Sequence, residues 1–212
     1  MTAASVNRAP IELRQINPNE IVAGRQALAH AFDADPLFQY FFPREKRRAR
    51  WLEIIMAGTL AETVPDANVF VPANGGATSG VMALLPPGAY PPPSRRRWGL
   101  VFRRSRRPGF GLPPWRLWRS ALPTLSAIGK LHYPEPHYYL QTVGVDPEFA
   151  GKGIGGAFMR HLCQLSDAAG VPAYLETSNP VNLGFYRRFG FAEREQIDAP
   201  GGGPPIWTML RV

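Results

Sequence analysis

One cysteine in 212 residues leaves Cys163 without an intrachain disulfide partner and fits a reducing, cytoplasmic compartment. With no His–acid pair beside it, the thiol reads as a packed helix residue rather than a nucleophile. No apolar run approaches the ~20 residues that cross a membrane, and the N-terminus lacks the apolar stretch of a secretory leader, so no membrane association is expected. The four histidines, His30, His132, His137 and His161, show no metal-ligand spacing, and no metal is expected. There is no G-x-S-x-G elbow either, since Ser79 in the Gly75–Gly80 run has the wrong offset. Hydrolase and metalloenzyme chemistry therefore have no support.

What is present is length for one sizeable core and no linker marking a second domain, so residues 1–212 read as a single unit. Ile11–Ile16 alternates like an edge strand, and Glu20–Phe32 has helical spacing with Asn19 as its N-cap. Asp35–Phe42 reads as an aromatic turn, and Pro43 opens a second helix to about Glu62. Val69–Pro72 and Gly80–Pro86 read as a hairpin, and His137–Val145 as the central strand. An amphipathic helix over Gly153–Ala169 follows, with Ile154, Ala157, Phe158, Leu162 and Leu165 inward. Then come a strand at Ala173–Thr177, a helix at Val181–Phe189, and closing strands at Phe191–Ile197 and Ile206–Arg211. The expected class is α/β (mixed α+β), a central mixed sheet with helices on both faces.

Residues 86–133 break this pattern. They hold ten of the 24 basic residues and no acidic one, so the net charge of +8 is local to this segment. Its prolines rule out one long helix, although Trp115–Lys130 could form a short one. Three readings stay open: an insert covering an acceptor site, a solvated cover, or a polyanion surface in which arginines interleave with Trp98, Trp115 and Trp118. A nucleic-acid partner is the least favoured of these.

The richest segment is 137–191. Gly151, Gly153, Gly155 and Gly156 lie at the head of the Gly153–Ala169 helix. A helix start leaves backbone N–H groups unpaired and adds partial positive charge, and glycines let phosphate oxygens approach closely. A phosphate-bearing cofactor follows, of one of two kinds. Gly151-Lys152-Gly153-Ile154-Gly155-Gly156 satisfies the dinucleotide fingerprint, with Glu176 near the ribose-binding distance. Against it, Asp146–Ala150 separate the strand from the first glycine, and only 36 residues follow Glu176. Upstream, the alternating strand–helix units of a doubly wound sheet are missing.

A second pattern accounts for more residues. Val143-Gly144-Val145-Asp146-Pro147, then Ala150-Gly151-Lys152-Gly153-Ile154-Gly155, then Asn179-Pro180-Val181-Asn182 through Phe185-Tyr186 to Gly190-Phe191, resembles the GNAT acyl-CoA-dependent N-acetyltransferases. Within that family, Leu175–Pro180 followed by Phe185-Tyr186 looks most like the antibiotic-modifying branch that includes puromycin N-acetyltransferase. Ala150 departs from the family's usual Gln or Arg and removes one side-chain contact to the cofactor. The likeness covers about the last third of the chain.

The resemblance implies a sheet splayed between its fourth and fifth strands and acetyl-CoA as co-substrate. Backbone N–H groups of Val143 and Val145, beside Gly144, would hold the pantetheine arm, with Val143 also polarising the thioester carbonyl. Residues 151–156, that is Gly151, Lys152, Gly153, Ile154, Gly155 and Gly156, would cradle the pyrophosphate, with Asn179 and Asn182 near the arm. Tyr186 falls on the family's general-acid position. Glu176 is the candidate base, or else a strand-end carboxylate paired with Arg187. Phe38, Tyr40, Phe42, Trp115 and Trp118 would line a pocket for a small-molecule amine, and the basic insert argues against a polycationic acceptor. The expected activity is acetyl transfer in a ternary complex, by a monomer or homodimer. A protein N-acetyltransferase and a non-catalytic acyl-CoA-binding module are the rivals.

Overall fold

The computed structural model describes residues 10–63, 68–90, 119 and 122–212. Seven strands, β1 (Leu13–Gln15), β2 (Val69–Pro72), β3 (Gly80–Leu85), β4 (Tyr138–Val145), β5 (Ala173–Thr177), β6 (Ala192–Asp198) and β7 (Pro205–Arg211), form one sheet in the order β1-β2-β3-β4-β5-β7-β6. Every pairing is antiparallel except β4–β5. The helices are α1 (Ile21–Ala31), α2 (Pro36–Phe41), α3 (Glu45–Thr63), the single turn α4 (Gly76–Ser79), α5 (Leu122–Lys130), α6 (Ile154–Ala169) and α7 (Val181–Arg187).

Alternation along the strands sends side chains to two cores. Met82, Leu84, Leu140, Leu175 and Met209 pack against Ile154, Phe158 and Leu162 of α6 and Tyr186 of α7. On the other face, Val69, Val71, Val81 and Ala83 pack against Leu28 of α1 and Leu52, Met56 and Leu60 of α3. The expected inward stripe of α6 holds, with Ile154, Ala157, Phe158 and Leu162 buried and Leu165 packed at the margin. Gly170, at φ 63°, ends the helix in the left-handed conformation, and its N–H caps Asp167 and Ser166 carbonyls.

Two local expectations need correction. A 3-10 turn at Pro18–Glu20 precedes α1, and the Asn17 N–H, rather than an Asn19 cap, ties the entry by donating to Glu20 Oε2 at 3.0 Å. Asp35–Phe42 is a helix rather than a turn. Asp35 Oδ1 accepts from the Leu37 and Phe38 N–H groups at 3.0 and 3.2 Å, and Pro36 occupies the first turn, where its missing N–H costs nothing. Arg48 of α3 then fastens the α1–α2 connection, donating to the Asp33 carboxylate at 2.8 and 3.1 Å and to the Phe42 carbonyl. Most of the basic insert, including Trp98, Trp115 and Trp118, lies outside the described residues. The short helix expected over Trp115–Lys130 is seen as Leu122–Lys130.

Candidate active site

The parallel β4–β5 pairing has only two rungs, Tyr138↔Ala173 and Tyr139↔Tyr174, after which the strands part. A bulge in β4 accompanies the parting. Ala83 faces Thr142 and Leu84 faces Leu140, so Gln141 is the extra residue. Before the bulge the Tyr138 N–H points to β5, donating to the Pro172 carbonyl; after it the Asp146 N–H points to β3, donating to Ser79 at 3.1 Å. Alternation back from Asp146 turns the Gly144 and Thr142 amides to β3 and leaves those of Val143 and Val145 facing the opening. Gly144 has no room for a side chain, since a Cβ there would lie 2.8 Å from Ala31 Cβ and 3.0 Å from Leu28 Cδ2. This close approach seats α1 directly on β4.

A cavity of about 1130 Å³ runs through the opening. Val143, Gly144, Val145, Ala150, Gly151, Gly153, Ile154, Gly155 and Gly156 line it along β4 and the start of α6. Gly151 and Gly153 have φ of 72° and 90°, a backbone only glycine adopts without strain. The turn thus presents bare backbone at the start of a 16-residue helix. Lys152 does not line the cavity; its ammonium sits 4.5 Å from the Phe149 ring centre. Arg160 and Arg188 do line it, both exposed, and sequence reasoning passed over them. Their spacing from the glycine turn, one helical turn beyond Gly156 and two residues beyond Tyr186, was the signal available.

Asn179 and Asn182 border the same space. Asn179 Oδ1 accepts from the Val181 N–H at 3.1 Å, and Asn182 Nδ2 donates to Thr177 Oγ1 at 3.4 Å. Tyr186 is buried on α7 against Phe185 and Phe191. Burial first, and the nearby Asp35 charge second, push its phenol well above the ordinary value, so it stays protonated. Asp35, absent from the sequence-based candidates, links α2 to the end of β5 by accepting from the Ser178 hydroxyl at 3.0 Å. Burial raises its carboxyl against three opposing hydrogen bonds.

Glu176 lines the cavity from β5. The Tyr139 hydroxyl donates to its Oε2 at 2.7 Å, and Oε1 is buried without a partner. Desolvation pushes this carboxyl up to about 7, overcoming the hydrogen bonds that favour its charge. The alternative pairing of Glu176 with Arg187 is not what the structure has, because Arg187 pairs with Glu193.

The acceptor-side candidates divide. Phe38 lines the cavity. Tyr40 does not; its hydroxyl donates to the Gly201 carbonyl at 2.7 Å, holding the β6–β7 connection. Phe42 is 1% exposed and stacks on Trp51, a core position rather than a pocket wall. The wall is formed instead by Phe32, Phe38, Phe41, Trp51, Ile55 and Met56. Among the described residues no group of three or more His, Cys, Asp or Glu could hold a metal ion, and no helix is long and apolar enough to cross a membrane.

Residues 123–191, about a third of the chain, match the model of the acetyltransferase (GNAT) family. It is similar to the N-alpha-acetyltransferase RimI of Mycobacterium tuberculosis, 41% identical over 69 residues, which are 32% of this chain and 41% of that one. A glucosamine 6-phosphate N-acetyltransferase of Trypanosoma brucei brucei is 33% identical over 58 residues, covering 27% of this chain and 40% of the relative. The match thus spans about two fifths of the length of these relatives. Among solved structures, a Corynebacterium glutamicum protein described as histone acetyltransferase HPA2 and related acetyltransferase superposes with a TM-score of 0.67 at 20% identity, over 96% of both chains. Arylalkylamine N-acetyltransferase 2 from Aedes aegypti gives 0.59 at 16% identity, over 96% of this chain and 99% of that one. At such identities the likeness is one of fold.

Proposed function

We infer that the chain transfers an acetyl group from acetyl-CoA to the amine of a small organic molecule. The observation that carries this is the joining of four parts in one cavity: freed β4 amides, a glycine turn at a helix start, a raised carboxyl and a buried phenol. The pantetheine arm lies along β4 as the strand that β5 ceases to be, with the Val143 and Val145 N–H groups as donors. The pyrophosphate sits on the glycine turn of residues 151–156 at the start of α6, and Arg160 and Arg188 supply positive charge at that end.

Glu176, at about 7, is matched to accepting an ammonium proton near neutral pH. The neutral amine attacks the thioester carbon while the carbonyl oxygen is held by the Val143 N–H. The C–N bond forms and the C–S bond breaks. Tyr186 gives its proton to the departing thiolate and takes back the second proton from the nitrogen, so the products are amide and thiol. A free thiolate is as poorly solvated here as a phenolate, which brings the two proton affinities together.

Acetyl-CoA should raise the melting temperature by mass action, and NADH should not. Gly153→Val, which puts a branched side chain on a backbone at φ 90°, should remove that shift. Thiol release from acetyl-CoA in the presence of amines tests turnover. Stabilisation by NADH alone, or acetyl-CoA binding without thiol release for any amine, would sink the transferase reading.

A further inference from the structure

The β4 bulge changes side-chain faces as well as amide directions. Leu140 and Val143 both pack on the α6 side, so the two residues between them, Gln141 and Thr142, turn together onto the α1 face. The last β4–β5 rung is Tyr139↔Tyr174, and Gln141 and Glu176 each stand two residues beyond it on opposite lips of the opening. Leu175 packs on the α6 side, which puts Glu176 on the α1 face with Gln141. All three residues line the cavity, and each has a buried side-chain oxygen without a hydrogen-bond partner: Glu176 Oε1, Gln141 Oε1 and Thr142 Oγ1.

Buried acceptors left unpaired are unfavourable, and a ligand rich in donors relieves them. A primary ammonium has three N–H donors and no acceptor. We propose that Gln141, Thr142 and Glu176 form the seat of the acceptor's ammonium, and that the acceptor is a primary monoamine on a compact apolar body. The body is set by the apolar residues that line the cavity from the same face of the sheet: Phe32, Phe38, Ile55 and Met56. Asp35 is the other acid lining the cavity among the described residues, and it already accepts from two backbone N–H groups and the Ser178 hydroxyl. A polyamine would bury a second ammonium against an apolar wall whose one further acid among the described residues, Asp35, is already engaged by three donors, and a peptide N-terminus would bury unpaired amides. The proposal rests on the acetyl-transfer reading and refines its acceptor.

The test uses the full chain, acetyl-CoA and a panel of phenethylamine, spermidine and an alanine-led peptide, with thiol release as readout. Phenethylamine should exceed the other two in kcat/KM by ~10-fold or more. Gln141→Leu should raise the phenethylamine KM by ~10-fold, the scale of losing one hydrogen bond to a charged group. The same variant should leave kcat within a few-fold and the acetyl-CoA Kd unchanged, and Gln141→Glu should restore KM. Should Gln141→Leu not fold, Thr142→Val gives the same split and the wild-type selectivity stands alone. Spermidine or the peptide equalling phenethylamine, no turnover of phenethylamine, or an unchanged KM in the Gln141 variant overturns the proposal while leaving acetyl-CoA binding intact. Absence of acetyl-CoA binding instead overturns the transferase reading beneath it.

Discussion

Replacing Glu176 with Gln should stabilise the protein at alkaline pH while disabling it. Gln keeps the shape and can still accept from the Tyr139 hydroxyl, but it cannot ionise. In the native chain the folded carboxyl sits at about 7 against an ordinary value of 4.5, because burial disfavours its charge among Tyr139, Tyr174 and the strand backbone. The folded state therefore holds this proton more tightly than the unfolded chain does. Its contribution to stability is fully present below 4.5 and is lost as the pH rises through 7. At about 1.4 kcal/mol per tenfold change in affinity, the whole difference is about 3 kcal/mol; relaxation of the surroundings around the charge reduces it to about 1–2 kcal/mol. For a chain of this size that is ~3–6 °C in Tm.

Thermal melts of both proteins from about pH 4 to about pH 8.5 measure this directly. The curves should coincide at the acid end, diverge as the pH rises from about 4.5 and reach full separation near 7, the variant melting higher, while its turnover falls by ~10²-fold or more. Wild-type kcat/KM should rise with pH through about 7, as the base becomes ionised. Parallel melting curves, or a variant less stable at pH 8.5, would refute the desolvation argument and with it the assignment of Glu176 as base.

Tyr186→Phe should leave the acetyl-CoA Kd near wild type and lower turnover by ~10²-fold; unchanged turnover in a stopped assay of thiol release would assign proton donation elsewhere. Gly144→Ala should lower stability by about 1–3 kcal/mol, because its Cβ would stand 2.8 Å from Ala31 Cβ and force α1 off the sheet. Denaturant titration checks this, and an unperturbed midpoint would mean that α1 yields freely.

That the residues proposed for the cofactor would share one cavity was legible because their pattern is local. A glycine turn at a helix start and a Phe185-Tyr186 pair keep their meaning wherever the chain places them, and the cavity does gather Gly151, Gly153, Asn182 and Tyr186. The acceptor half was less legible because aromatic residues look alike in a sequence whether they line a pocket or fill a core. Phe38 and Phe42 lie four residues apart around α2, yet Phe38 lines the cavity while Phe42 stacks on Trp51. Trp51, Ile55 and Met56 lie on the inward face of α3, and nothing local marks that this face also walls the cavity. Asp35 went unnoticed as a site group because its first role is helix capping, and only the fold brings Ser178 and Tyr186 to it.

Gln141 shows the limit most sharply, and also how it could be passed. Counting back by twos from Val143 puts Gln141 on the α6 face; counting forward by twos from Tyr139 puts it on the opposite face, with Glu176. Both counts cannot hold for a regular strand, and the extra residue between the Ala83 and Leu84 partners resolves them in favour of the second. The trace of this in the sequence is Leu140 and Val143, two apolar residues three apart in a strand whose period is two, both packed on the α6 core. One inserted residue thus turns two amides to the opening and sets two polar side chains on the same face as Glu176. A substitution that restored regular pairing would undo both at once, so in the proposed reaction it should impair acetyl-CoA binding and raise the amine KM together, and a variant that changed one alone would separate the two roles.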